Sequence, residues 1–299
     1  MGFTEKKKRR FGDRADGHLV KNASALNVIM SALYLNRCDC EVSMRYEMDI
    51  TLLNEFICRK NKENSDVEIK FFHCIITAIV RVLNERPLLN RFVQGGRIYQ
   101  RDEYSVAFTA KRKFSDSSGE SLLNYKAKKD DTIYDVSRFI LGEVSEIRKE
   151  KPKKNHAEKL LESVAKLPFF VRLFLAWLCR VFDFWGILPG FMMKDDPAFS
   201  TVLVANLGSI GCPSVNHHLN NYGSTSIMIT IGTYVKKREL GADGTVVERD
   251  IVDITITCDE RIADGFYFSK SIKLLEKILQ QPEILEKPFC EESCIREKD

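Results

Sequence analysis

Apolar and polar residues alternate along Glu41-Val-Ser-Met-Arg-Tyr-Glu-Met-Asp-Ile50, so that Val42, Met44, Tyr46, Met48 and Ile50 share one face. A period of two predicts a half-buried strand. Upstream, residues 23–35 are apolar enough for a short helix. Downstream, 52–59 and the strongly apolar 67–83 read as helices, and Pro87 in Arg86-Pro-Leu-Leu-Asn90 ends the helical run. Two strands follow around 97–99 and 104–111. In the last third, 201–205, 225–234 and 246–257 are runs of β-branched residues joined by loops that hold Gly208, Gly211, Pro213, Gly241 and Gly244. An amphipathic helix over 267–279 ends at Gln281-Pro282.

Between these parts the texture changes. Residues 114–197 read as helical, first charge-rich and then apolar from Leu167 to Met193. A membrane span needs ~20 apolar residues, so the length suffices. The charges oppose it: Arg172, Arg180 and Asp183 fall in one arc at 100° per residue, and each costs ~2.5–3.5 kcal/mol at a bilayer centre. A helix that is apolar around most of its circumference with one charged stripe reads as packed in an oligomer, then as lying on a membrane surface, and last as a span.

Composition narrows the class. At 299 residues with 44% hydrophobic and 29% charged positions, the chain is a globular protein. A net charge of +4 is too weak for a protein that coats nucleic acid. The cations cluster in a basic tail over 1–17 (Lys6, Lys7, Lys8, Arg9, Arg10) and at Arg148, Lys149, Lys151, Lys153 and Lys154. Nine cysteines, mostly scattered singly, read as free thiols in a reducing compartment. Cys38/Cys40 and Cys290/Cys294 lack matching partners. With no apolar leader after the tail and no myristoylation pattern, the expected location is cytoplasmic.

Two segments hold candidate chemistry. Cys258-Asp-Glu-Arg-Ile-Ala-Asp-Gly265 puts Glu260, Arg261 and Asp264 in one turn at a strand end, either as a structural ion cluster or as a site whose carboxylates are tuned by their neighbours. Asn206-Leu-Gly-Ser-Ile-Gly211 is a tight loop after a strand whose backbone N–H groups suit an anion, and it is followed by His217 and His218. Neighbouring histidines rarely converge on one ion, and no zinc spacing accompanies them, so no metal is expected. Phosphate-loop, nucleophile-elbow and metalloprotease motifs are missing. His73, on the apolar helix, reads as a hydrogen-bonded core residue.

Taken together, Asp259-Glu-Arg-Ile-Ala-Asp-Gly265, the helix that ends at Gln281-Pro-Glu283, and Phe199-Ser-Thr-Val-Leu-Val-Ala-Asn-Leu-Gly-Ser-Ile-Gly211 resemble the D-H-R-x-x-D-G signature, terminal helix and S-N-L-G-like turn of the 2-oxo-acid dehydrogenase dihydrolipoyl acyltransferases, relatives of chloramphenicol acetyltransferase. Residues 226–232 and the N-terminal elements follow in the family's order. The resemblance implies an α/β two-layer sandwich with a mixed sheet and flanking helices over 18–299, interrupted by a helical insert at about 112–197. It also implies a homotrimer whose inter-subunit channel receives coenzyme A or acyl-CoA on one side and an acyl acceptor on the other.

Asn206, Gly208 and Ser209 then fall on the coenzyme A side, with Arg261, Gly265 and Ala205 structural at the site and Asp264 holding the arginine and the turn. Two chemical positions depart from the family. Glu260 stands where the histidine base belongs, and Ala205 stands where a hydroxyl binds the oxyanion. Three readings follow: a CoA-dependent acyltransferase with Glu260, His217 or His218 as base; a catalytically silent relative that binds or scaffolds; and a lipid-handling protein that contacts a membrane surface from Phe169 to Met193.

Overall fold

The alternating segments are realised as two sheets. In the computed structural model the described residues are 3, 8–63, 66–111, 120–149, 162–193, 196–240 and 244–291. Lys6, Lys7, Lys151, Lys153, Lys154, Gly241 and Cys294 lie outside them. Strands β1 (Gly17–Leu19), β3 (Arg91–Gln94) and β4 (Arg97–Arg101) form a small antiparallel sheet in the order β1-β4-β3. Strands β2 (Glu41–Asp49), β5 (Ser105–Lys111), β6 (Glu120–Lys126), β7 (Val202–Asn206), β8 (Ile227–Leu240) and β9 (Val246–Asp259) form the main sheet, in the order β2-β9-β8-β7-β5-β6. The sheet is mixed: β5, β7 and β8 run parallel, and the other pairs are antiparallel.

Helices α2 (Thr51–Lys62), α3 (Phe71–Glu85), α4 (Ile133–Ile147) and α6 (Gly265–Gln280) contribute to one core with the main sheet, while α1 (Ala25–Leu33) and α5 (Phe169–Trp185) lie outside it. Val202 and Val204 of β7, Ile227, Ile229 and Ile231 of β8, and Ile254 and Ile256 of β9 share that core with Ile79 and Leu83 of α3 and Phe268, Ile272 and Leu275 of α6. Each such buried side chain contributes about 1.5–3 kcal/mol. The residues between them face the other way, where Thr230, Thr255 and Thr257 form a hydroxyl-bearing stripe.

The expectation of a helical segment over about 112–197 is corrected near its start. Residues 120–126 are β6, paired antiparallel with β5 in the main sheet, with Ser121, Leu123 and Tyr125 inward. The alternation is only seven residues long, and pairing with β5 decides the conformation, not the local charge. After it, α4 is helical as expected. Thr132 caps it, with Asp135 reaching back to the Thr132 N–H at 2.9 Å. Its Ile133, Val136, Ile140 and Ile147 belong to the core.

His73 is in the core as its apolar setting predicts, at 2% exposure. Its Nδ1 accepts the Lys70 N–H at 3.3 Å and faces the Ser137 hydroxyl at 3.0 Å. Burial first, and the Lys70 charge second, hold its pKa down to about 4 from 6.5. The unfolded chain therefore takes up this proton first, so the stabilisation is present above pH 6.5 and is lost as the pH falls toward about 4. The loss is on the order of 3 kcal/mol. Urea melts at pH 7 and pH 4.5 should show a smaller acid loss in His73→Asn than in the wild type; equal losses contradict this.

Candidate active site

The turn after β9 is built around a buried ion pair. Asp259, the last residue of β9, is fully buried, and it accepts from Arg261 Nε at 2.8 Å and Nη2 at 2.7 Å. Burial opposes the Arg261 charge, but the hydrogen bonds and charge of Asp259 outweigh it and raise the pKa. The Arg261 Nη1 also donates to the Tyr34 carbonyl, and the Arg261 carbonyl accepts from Asn27 of α1. This corrects the expected cluster: the partner of Arg261 is Asp259, not Glu260 or Asp264. Asp264 instead caps α6, its carboxylate accepting from the Tyr267 N–H at 2.7 Å, and Gly265 is the first residue of that helix.

Glu260 stands exposed on this frame. Its N–H donates to the Cys40 carbonyl at 2.9 Å, and its carboxylate has no hydrogen-bond partner among the described residues. A rigid buried pair on one side and a capped helix on the other thus present one free carboxylate to solvent.

The pair also opens onto a network that no sequence spacing indicates. Arg37, 2% exposed, sets its Nε 3.6 Å from Asp259 Oδ2 and donates to the carbonyls of Val93, Asn220 and Gly223. Burial lowers its pKa, and Asp259 partly restores it. Its Nη2 also reaches Gln94 Oε1 at 3.4 Å, and Gln94 Nε2 donates to Asp183 Oδ2 at 2.7 Å. Asp183, on α5, pairs with Arg14 at 2.7 Å. Burial works against the Arg14 charge, and Asp16 and Asp183 more than offset it. Arg14, Asp183, Gln94, Arg37, Asp259 and Arg261 therefore form a continuous chain, buried except at the half-buried Gln94, from α5 to the turn that carries Glu260. Of these six, the sequence drew attention only to Asp183, Asp259 and Arg261; the others are brought in by folding.

The second candidate loop is equally constrained. In the turn after β7, the Ser209 N–H donates to Asn206 Oδ1 at 3.2 Å and its hydroxyl donates to the Asn206 carbonyl at 2.7 Å. Gly208 lies against β8, where a Cβ would sit 2.3 Å from the Gly232 carbonyl oxygen. Ala205 is half-buried and faces away from the helices, in register with Thr230 and, one strand on, Thr255. Neither threonine replaces the missing hydroxyl. Thr230 Oγ1 bonds the backbone of Val215 at 2.6 Å and 3.2 Å, and Thr255 Oγ1 bonds Ser214 Oγ at 2.8 Å.

His217 and His218 lie exposed on the segment that crosses this face, their rings stacked with centroids 4.9 Å apart. The segment continues to Leu219, whose N–H donates to Glu41, the strand partner of Asp259. The histidines therefore sit toward the Glu260 end, with no hydrogen bond to Glu260 among the described residues.

The register separates the two departing positions. Ala205 lies in the row of Thr255, and Glu260 comes five residues further along that strand's direction, about 16 Å at ~3.3 Å per residue, with two strands of lateral offset in addition. One protomer does not bring Glu260 and Ala205 together.

Known proteins share this architecture. A sequence profile for 2-oxoacid dehydrogenases acyltransferase (catalytic domain) matches residues 192–286. No curated protein sequence matches the chain. Among solved structures, a probable dihydrolipoamide acetyltransferase from Listeria monocytogenes is similar at a TM-score of 0.56 and 16% identity, over 86% of this chain and 89% of that one. A dihydrolipoamide acetyltransferase from Azotobacter vinelandii, studied for the catalytic roles of one serine, one histidine and one asparagine, gives 0.58 and 14% over 87% and 88%. A chloramphenicol acetyltransferase gives 0.51 and 16% over 88% and 99%. The resemblance carried by residues 259–265 is thus borne out: residues 192–286 match the 2-oxoacid dehydrogenase acyltransferase catalytic domain, and the chain has the fold of the dihydrolipoamide and chloramphenicol acetyltransferases.

Proposed function

We propose that the chain is a coenzyme A-dependent acyltransferase whose site forms between copies, in a homotrimer. The observation that carries this is the pairing of an intact Asp259–Arg261 frame, which presents Glu260, with a separation that keeps Glu260 and Ala205 of one protomer apart. A site that uses both ends requires a neighbour. The turn of Asn206, Gly208 and Ser209 then faces the coenzyme A side. The acceptor's O–H or S–H proton passes to Glu260 as the acceptor attacks the thioester carbonyl. The C–S bond breaks, and the coenzyme A thiolate recovers the proton.

Glu260→Gln keeps the shape and removes the base. It should lower kcat for acyl transfer, read as release of the coenzyme A thiol, by about 10²–10⁴. An unchanged rate removes Glu260 from the mechanism and leaves His217 or His218. A catalytically silent, binding relative is the second reading, and one observation favours it: Ala205 offers no hydroxyl, and its neighbours Thr230 and Thr255 are already bonded.

A further inference from the structure

Helix α5 is turned the opposite way from an ordinary amphipathic helix. Its one acid, Asp183, points inward at 1% exposure, while Phe170, Phe174, Trp177 and Trp185 are 72%, 57%, 58% and 64% exposed. This orientation is held by the buried chain: Asp183 is fixed by Arg14 and Gln94, and a Cβ on Gly95 would sit 2.1 Å from the Phe184 carbonyl oxygen, so the β3–β4 turn lies directly against the helix end. The aromatic face has no freedom to rotate inward without breaking buried ion pairs.

The expected charged stripe is thus divided. Asp183 is used inside, while Arg172 and Arg180 remain exposed, with Lys166 just ahead of the helix. The exposed side of α5 is aromatic, with Arg180 at its edge beside Trp177 and Trp185 and Arg172 on the Asp183 side, and α5 places no carboxylate among the rings. A second copy of the same face would match the apolar area but would bring no acid to meet Arg180. An anionic lipid surface offers both partners, acyl chains for the rings and phosphates for the cations. Seventeen residues at 1.5 Å each reach about 26 Å, short of the ~30 Å hydrocarbon core. No described helix is long and apolar enough to cross a membrane. On such a surface a helix of this length would lie flat, with its two tryptophans at the depth of the headgroups, where such rings concentrate.

We infer that α5 is an in-plane docking helix for anionic lipid surfaces. The inference stands apart from the acyl-transfer reading and does not require it. Both tryptophans of the chain lie on α5, so selectively excited tryptophan fluorescence reports this helix alone. The test is titration of the full chain with vesicles of phosphatidylcholine containing phosphatidylglycerol, against phosphatidylcholine alone. Expected are a blue shift and co-sedimentation with the anionic vesicles, weakened by salt and reduced at least tenfold in Phe170→Glu/Phe174→Glu, whose exposed sites leave the fold intact, as circular dichroism checks. No binding to anionic vesicles overturns the inference, as does binding that the double substitution leaves unchanged. It is also overturned if the wild type ignores vesicles but forms an oligomer that the substitution takes apart in sedimentation velocity, which assigns the face to a second copy.

Discussion

Asp259→Ala should cost about 3–5 kcal/mol of stability, the range for stripping the partner from a buried charge. The size follows from what remains. Arg261 at 1% and Arg37 at 2% exposure both lose their carboxylate, and neither has water to replace it. For 299 residues this corresponds to a fall in Tm of roughly 5–8 °C. Arg261→Met should cost less, because Asp259 keeps Arg37 and the new side chain fills similar volume. A thermal melt that ranks the two variants in the reverse order contradicts the assignment of Asp259 as the centre of the frame. Because Glu260 is the next residue, Asp259→Ala should also reduce activity in the surviving folded protein.

The second large effect is a gain. Ala205→Ser combined with Glu260→His should raise acyl transfer by about 10²–10³, since one oxyanion donor is worth ~2.7–4 kcal/mol of transition-state stabilisation. Ala205 is half-buried beside Thr230, on the face away from the helices, so one added oxygen meets little resistance. Glu260 is exposed, so the imidazole fits without repacking. Thiol release from acetyl-CoA measures the result. If the double variant gains nothing over the wild type, the reading of Ala205 and Glu260 as the two altered chemical positions is wrong.

Local pattern revealed much of this fold because the core strands carry their signal in β-branched runs. β7, β8 and β9 were legible from residues 201–205, 225–234 and 246–257, and α6 from its amphipathic period. β6 was not, since its seven residues acquire their conformation from β5. The site was half legible. Glu260, Asp264 and Asn206 lie on short contiguous motifs. Asp264 caps α6 and does not hold Arg261, because sequence adjacency does not reveal which carboxylate a guanidinium chooses; Asp259 wins by being the buried one. Arg14, Arg37 and Gln94 carry no local mark at all. They matter only because folding places them in a row between α5 and the turn after β9.

The most direct test of the coenzyme A-site account is calorimetric titration of coenzyme A into the wild-type chain. Saturable binding with one equivalent per protomer, by a protein that sediments as a trimer, is the predicted result. No detectable binding at millimolar coenzyme A contradicts it, because both the turn at Asn206–Ser209 and the channel proposed between copies would then lack their ligand.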